Sequence, residues 1–120
     1  MDPNIIGCLW VRLAGVSGAL AVALGAYGAH VVSESKTLSP KLKDVFERAN
    51  KYHLLHSLAL LAVPLTAHPS LSGSLLLVGM TVFCGTCYAH VLSGGNKAVI
   101  RFTPMGGLTL IMGWLSMAYA

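Results

Sequence analysis

Charged side chains are scarce in this sequence. They make up 10% of its 120 residues, against 55% for hydrophobic residues, whereas a soluble globular domain carries about 25% charged residues. This shortage excludes an ordinary soluble domain and indicates that the lipid bilayer is the solvent. The basic residues are not interleaved with aromatic residues that would stack on bases, so the net charge of +4 does not predict nucleic-acid binding. We expect a single membrane domain over residues 1–120.

Cysteine is also scarce, and its number excludes a disulfide framework. The chain has three cysteines, an odd number. Cys84 and Cys87, followed three residues later by His90, form a CxxC pattern that in soluble proteins is typical of zinc binding or thioredoxin-like chemistry. Inside an apolar helix we interpret the two thiols as small packing groups instead.

Motifs for catalysis are missing as well. The sequence has no glycine-rich phosphate loop, no carboxylate pair in an apolar segment, and no serine placed with a base and an orienting acid. It therefore predicts a protein that is not an enzyme and has neither a cofactor nor a resident metal.

Four apolar segments are present, and each is expected to form a helix. The predicted helices cover residues 13–32, 40–66, 71–92 and 103–120. Ser39 and Pro40 are a typical helix start, and the first turns after them are amphipathic, as in a helix lying at the membrane interface. We predict an all-α integral membrane fold: an antiparallel bundle of four transmembrane helices, with an amphipathic interfacial helix leading into the second.

The basic residues predict the orientation of this bundle. Seven of the eight Lys and Arg residues fall in the two loops that follow the first and third helices or in the turns beside them. Loops rich in Lys and Arg stay on the cytoplasmic side, or its mitochondrial equivalent. We expect the basic loops to face the matrix of mitochondria, or the cytoplasm if the protein lies in another membrane, and both termini to lie on the opposite side.

Small residues predict close helix packing. Where lipid provides no hydrophobic drive for association, small side chains let helix backbones approach each other. The predicted packing positions are Ser17, Ala21, Gly25, Ala29, Gly85, Gly106 and Gly107. Such surfaces favour self-association or binding to another membrane protein.

Several segments together resemble a known family. They are Gly25-Ala26-Tyr27-Gly28-Ala29-His30, Tyr52 with His56-Ser57-Leu58-Ala59-Leu60-Leu61, Phe83 with Gly85 and Tyr88, and Pro104 with Gly106-Gly107 and Trp114. Over nearly the whole chain this combination resembles the transmembrane protein 256 family, which joins a bacterial inner-membrane domain of unknown function to animal homologues. The resemblance implies a multi-pass membrane protein without an established activity, located in the mitochondrial inner membrane in animals. Cys84, Cys87 and His90 depart from the family pattern, and His53 varies within it.

Histidines supply the one candidate site for chemistry. Four of the five histidines are expected at a similar depth near the basic loops, with two tyrosines beside them. The candidate ligand or polar cluster is His30, His53, His56, His90, Tyr27 and Tyr52. Ionisable side chains at membrane depth often mark functional sites, but histidines also serve as polar anchors and as hydrogen-bond partners between helices.

Three functions remain open at this point. The leading hypothesis is a non-enzymatic accessory or scaffold protein of an inner membrane, in contact with the lipid bilayer and with a membrane protein partner or a second copy. The alternative is a protein that binds a metal, haem, quinone or lipid through the histidine cluster. A transporter is the third, and few intramembrane charges are available for a polar substrate.

Overall fold

The computed structural model describes residues 2–119, apart from the side chain of Pro3, and the regular elements of this part of the chain are all helices. They are α1 (Pro3–Tyr27), α2 (Pro40–Ala62), α3 (Pro69–Leu92), α4 (Lys97–Ile100) and α5 (Thr103–Ala118). A π-helical turn, Gly28–Val32, extends α1, and a 3-10 turn, Val63–Leu65, extends α2. The prediction of an all-α fold is confirmed.

The helix bounds differ from the predicted ones at several places. α1 begins at Pro3, not at residue 13, because the Asp2 carboxylate accepts a hydrogen bond of 2.9 Å from the Asn4 amide and caps the helix there. Arg12 is exposed within α1 and does not mark its start. α4 was not predicted. The predicted end of the last helix, Ala120, lies outside the described residues.

Within residues 2–119, three segments are long and apolar enough to cross a membrane. They are Asn4–Val32, Pro69–Leu92 and Lys97–Ala118, with 29, 24 and 22 residues. α2 has 23 residues, but its first half is rich in charged residues. It therefore lacks an apolar stretch of the length that a membrane span requires. The crossing of α2 as a fourth span stays a prediction.

Each long helix packs against the next one along the chain. α1 contacts α2, α2 contacts α3, and α3 has its most extensive contact with α5. At one end the two basic loops come together, because Gly95 of the second loop lies against Leu42 in the first turn of α2. Lys43 Nζ closes the first loop with a 3.0 Å hydrogen bond to the Ser33 carbonyl. At the opposite end the ring of His68 stacks on Tyr119 with centroids 6.4 Å apart. The helices are therefore antiparallel, with the basic loops at one end and the chain termini at the other.

Two buried clusters form the interior. The cluster nearer the termini centres on Trp10, Leu60 and Leu76, and the one nearer the basic loops centres on Phe46 and Tyr88. Large apolar side chains cover the outer surface between the ends. This is the arrangement expected where lipid surrounds the helices.

Candidate functional site

Several polar side chains in the apolar part of the protein lie on α2. Asn50, His53 and Ser57 lie on the side of α2 that meets α1 and α3, since residues three and four apart share a helix face. Asn50 Nδ2 donates a 2.8 Å hydrogen bond to the carbonyl of Ala21 in α1 and a 3.3 Å bond to the Tyr88 hydroxyl in α3. One amide therefore joins three helices.

The same contacts indicate which ring nitrogen of neutral His53 carries the proton. A carbonyl oxygen cannot donate, so the amide nitrogen of Asn50 must face Ala21, and the Tyr88 hydroxyl must accept from that nitrogen. The hydroxyl proton of Tyr88 is then free to go to His53 Nδ1, which lies 3.1 Å away. The hydroxyl of Tyr88 has an acceptor for its proton when the ring proton of neutral His53 lies on Nε2, and we assign that tautomer.

Two serines continue this polar path toward the middle of the helices. Ser57 Oγ donates to the carbonyl of His53 at 2.7 Å, so Ser17 Oγ, 2.6 Å away, donates to Ser57. The predicted packing residue Ser17 therefore joins α1 to α2 by a hydrogen bond as well as by its small size.

A second polar group lies on the other side of α2. His56 Nδ1 donates to the carbonyl of Tyr52 at 2.7 Å, and His56 Nε2 accepts from Trp114 Nε1 of α5 at 3.0 Å. The Tyr52 ring stacks on Phe83 with centroids 4.8 Å apart. These residues and Lys51 line a groove of about 750 Å³ between α2 and α5. Both ring nitrogens of His56 already have partners.

The other members of the predicted cluster lie elsewhere. His30 is exposed on the π-helical turn, and Tyr27 is 41% exposed, with its ring 6.2 Å from that of Phe46. His90 Nδ1 donates to the carbonyl of Asn96 at 2.7 Å and holds the loop after α3. The structure therefore brings His53 and Tyr88 together on one side of α2, places Tyr52 and His56 on the other, and separates them from the remaining two histidines.

The predicted packing positions divide into close contacts and open positions. A Cβ atom at Gly106 would lie 2.5 Å from the backbone nitrogen of Phe83, whereas one at Gly107 would lie 3.7 Å from the Phe83 ring. Ala21 is 1% exposed, and a Cβ at Gly25 would lie 3.0 Å from Asn50 Oδ1. Ala29 is exposed, and its carbonyl accepts from Ser33 Oγ. Gly85 has open space within 4 Å of the position of a Cβ.

The thiols of the CxxC pattern are packing groups in this structure. Cys84 and Cys87 are free and buried among Val32, Phe46 and Val91. No group of three or more His, Cys, Asp or Glu residues within the described part of the chain is arranged to hold a metal ion.

Asn50, Ser57 and Trp10 are interior residues that sequence reasoning did not single out. Asn50 was not assigned to either face of the amphipathic turns. It lies four residues after the buried Phe46 and three before His53, and this spacing is the signal that would have placed it on the interior face.

The helices and their buried hydrogen bonds define a small multi-pass membrane protein of the all-α class. The family described as "Protein of unknown function (DUF423)" matches residues 24–107. The chain belongs to this family, and the resemblance to the transmembrane protein 256 type is confirmed.

Curated relatives cover almost the whole chain. A UPF0382 membrane protein of Haemophilus influenzae is 35% identical over 92% of this chain and 90% of the relative. A UPF0382 membrane protein of Schizosaccharomyces pombe is 34% identical over 91% of this chain and 97% of the relative. One from Staphylococcus epidermidis is 31% identical over 93% of both chains. No solved structure gives a significant match.

Proposed function

We propose that the protein is a non-enzymatic accessory or scaffold protein of an inner membrane, which acts by packing against a membrane protein partner or a second copy of itself. The observation that carries this proposal is how its interior polar groups are used. Most of them bond one helix to another: Ser17 to Ser57, Asn50 to Ala21 and Tyr88, His56 to Trp114, Ser72 to Ser116, and Thr86 to Thr103. Hydrogen bonds of this kind hold a membrane bundle in one arrangement.

The outer face of α1 is the surface that best fits a partner helix. Gly15 is exposed and Gly18 is half-buried, and each has open space within 4 Å of the position of a Cβ. Val11 and Val22 flank them on the same face, with 48% and 65% of their surface exposed. Small residues between larger ones form a shallow surface on which a second helix can approach closely.

Association is tested by purifying the protein from its native membrane in a mild detergent, followed by native mass spectrometry. We expect a stoichiometric partner or a homo-oligomer, and Gly18→Leu should disrupt it because the new side chain occupies the contact surface. Gly107→Ala, at an internal contact that tolerates a methyl group, is the matched control. A lone monomer in both nanodiscs and mild detergent would contradict the proposal.

For the location, we propose the mitochondrial inner membrane, with the basic loops toward the matrix, or a bacterial-type inner membrane with these loops in the cytoplasm. Support comes from the excess of Lys and Arg at this end of the protein, because these loops and the helix turns beside them carry seven of the chain's eight such residues. Both chain termini then lie on the opposite side, and α2 is the fourth span.

A small-molecule site is the second candidate function. One observation favours it: His53 is 6% exposed, and one of its ring nitrogens has no hydrogen-bond partner among the described residues. Of the predicted cluster, His53 is thus the member best suited to hold a ligand.

A further inference from the structure

α1 and α3 both pack on α2 but separate from each other over part of their length. At the end near the termini, Trp10 of α1 fills the space above Gly73 of α3 and closes the gap. Further along, between Leu13 and Leu24 of α1, the gap opens into a groove of about 290 Å³. Its walls come from α1 and α3, and His53 of α2 contributes to its lining.

This groove is apolar and carries no charged Asp, Glu, Lys or Arg side chain. Leu20 and Leu77 are typical of its walls, and His53 and Tyr88 contribute the aromatic polar groups. An uncharged wall in the apolar part of a membrane disfavours a charged head group, because an unpaired charge there costs several kcal/mol.

His53 presents an unused hydrogen-bond donor at this groove. Its Nδ1 accepts from Tyr88, whose hydroxyl is in turn held by Asn50, so its proton lies on Nε2. The Nε2–H group has no acceptor among residues 2–119. An unsatisfied donor in a site away from water costs about 1–3 kcal/mol, which a ligand with an acceptor oxygen would recover.

We propose that the groove between α1 and α3 binds the head group of a lipid-soluble quinone, with a quinone carbonyl accepting a hydrogen bond from His53 Nε2. A quinone head is uncharged, planar and rich in acceptors, and it dissolves in the hydrocarbon layer. It therefore satisfies the lone donor without bringing charge into the groove. This inference develops the small-molecule candidate and does not depend on the scaffold role.

Gly85 offers a way to fill the groove without disturbing the bundle. It lines the groove on α3, and a Cβ there would have open space within 4 Å. Gly85→Leu should therefore occupy part of the ligand's volume and leave the helix contacts intact. Ala23→Leu, at an exposed position of α1 that does not line the groove, adds a bulky apolar side chain elsewhere and is the matched control.

His53→Asn withdraws the donor from the groove. The Asn amide oxygen can take the place of Nδ1 as the acceptor for Tyr88, whereas the amide NH2 group lies nearer the backbone and does not reach the position of Nε2–H. This substitution tests the hydrogen bond, and Gly85→Leu tests the volume. If His53→Asn does not fold, the comparison of Gly85→Leu with Ala23→Leu still decides the question.

The experiment uses the full chain, one copy per nanodisc, with decylubiquinone carrying ¹³C in its carbonyl groups. We expect saturable binding and a lowered carbonyl stretching frequency in the isotope-edited infrared spectrum. His53→Asn should weaken binding about tenfold and abolish the frequency shift. Gly85→Leu should weaken binding at least as much, and Ala23→Leu should bind like the wild type.

Equal binding by the wild type and Gly85→Leu would overturn the proposal, as would a carbonyl frequency identical to that in protein-free lipid. Retention of a phospholipid in the groove that decylubiquinone does not displace would also overturn it. None of these results bears on the scaffold role, because Gly18→Leu tests association on a different face.

Discussion

The contact between α3 and α5 allows a sharp test of how the bundle is held together. A Cβ on Gly106 would lie 2.5 Å from the Phe83 nitrogen, 2.9 Å from its Cα and 3.0 Å from the Gly79 carbonyl oxygen. All three atoms are backbone and cannot rotate away. Gly106→Ala therefore requires the two helices to separate by about 1 Å to reach an ordinary contact distance.

The expected cost follows from this separation. Forcing an extra methyl group into a packed contact costs about 1–3 kcal/mol, and the better helix propensity of alanine recovers about 1 kcal/mol of it. The net loss of up to about 2 kcal/mol corresponds to a change of up to roughly 30-fold in the unfolding equilibrium. At the adjacent Gly107 a Cβ would lie 3.7 Å from the Phe83 ring, so Gly107→Ala should not destabilise the protein.

Unfolding in mixed micelles with increasing SDS, followed by circular dichroism, measures both variants under the same conditions. Gly106→Ala should unfold at a lower SDS fraction than the wild type, and Gly107→Ala at the same or a higher one. If the two variants have equal free energies of unfolding, the close backbone contact between α3 and α5 is refuted.

Two further predictions concern paired side chains. Gly73→Ala places a Cβ 2.5 Å from the Trp10 ring and should destabilise the protein by about 1–3 kcal/mol. Trp10→Phe should suppress this effect, so that the double variant is more stable than the sum of the two single effects predicts. Strictly additive free energies of unfolding would contradict the contact. For the Trp114 to His56 hydrogen bond of 3.0 Å, a double-mutant cycle of Trp114→Phe and His56→Leu should give a coupling free energy of about 0.6–1.7 kcal/mol in the same SDS titration. A coupling of zero would show that this bond does not hold α5 to α2.

Hydropathy and turn residues predicted most of the fold. Pro40, Pro69 and Pro104 lie in the first turns of their helices. Gly94 and Gly95 lie in the loop after α3, with φ of 78° and 105°, which are conformations that favour glycine. Such local signals identify where helices begin and end. They did not reveal the early start of α1, because one exposed arginine inside a helix resembles a boundary in a hydropathy pattern.

The candidate site was less predictable, because sequence position gives depth but not rotation about the helix axis. His53 and His56 were expected in one cluster, yet the structure directs one toward Tyr88 and the other toward Trp114. Each residue turns a helix by about 100°, so two residues three apart can lie on either side of a narrow contact line. Which side each occupies depends on the neighbouring helices, and a single sequence does not contain that information.

We propose that α2 crosses the membrane as a fourth span, which places both basic loops on one side. Single cysteines at Thr37, Ala67 and Ala98, which are exposed at the ends of the helices, test it in a variant without the three native cysteines. A membrane-impermeant thiol reagent is applied to sealed vesicles of known orientation. If α2 crosses the membrane, we expect Thr37→Cys and Ala98→Cys to react from one side and Ala67→Cys from the other. Reaction of Thr37→Cys and Ala67→Cys from the same side would show that α2 does not cross the membrane and would contradict the four-span arrangement.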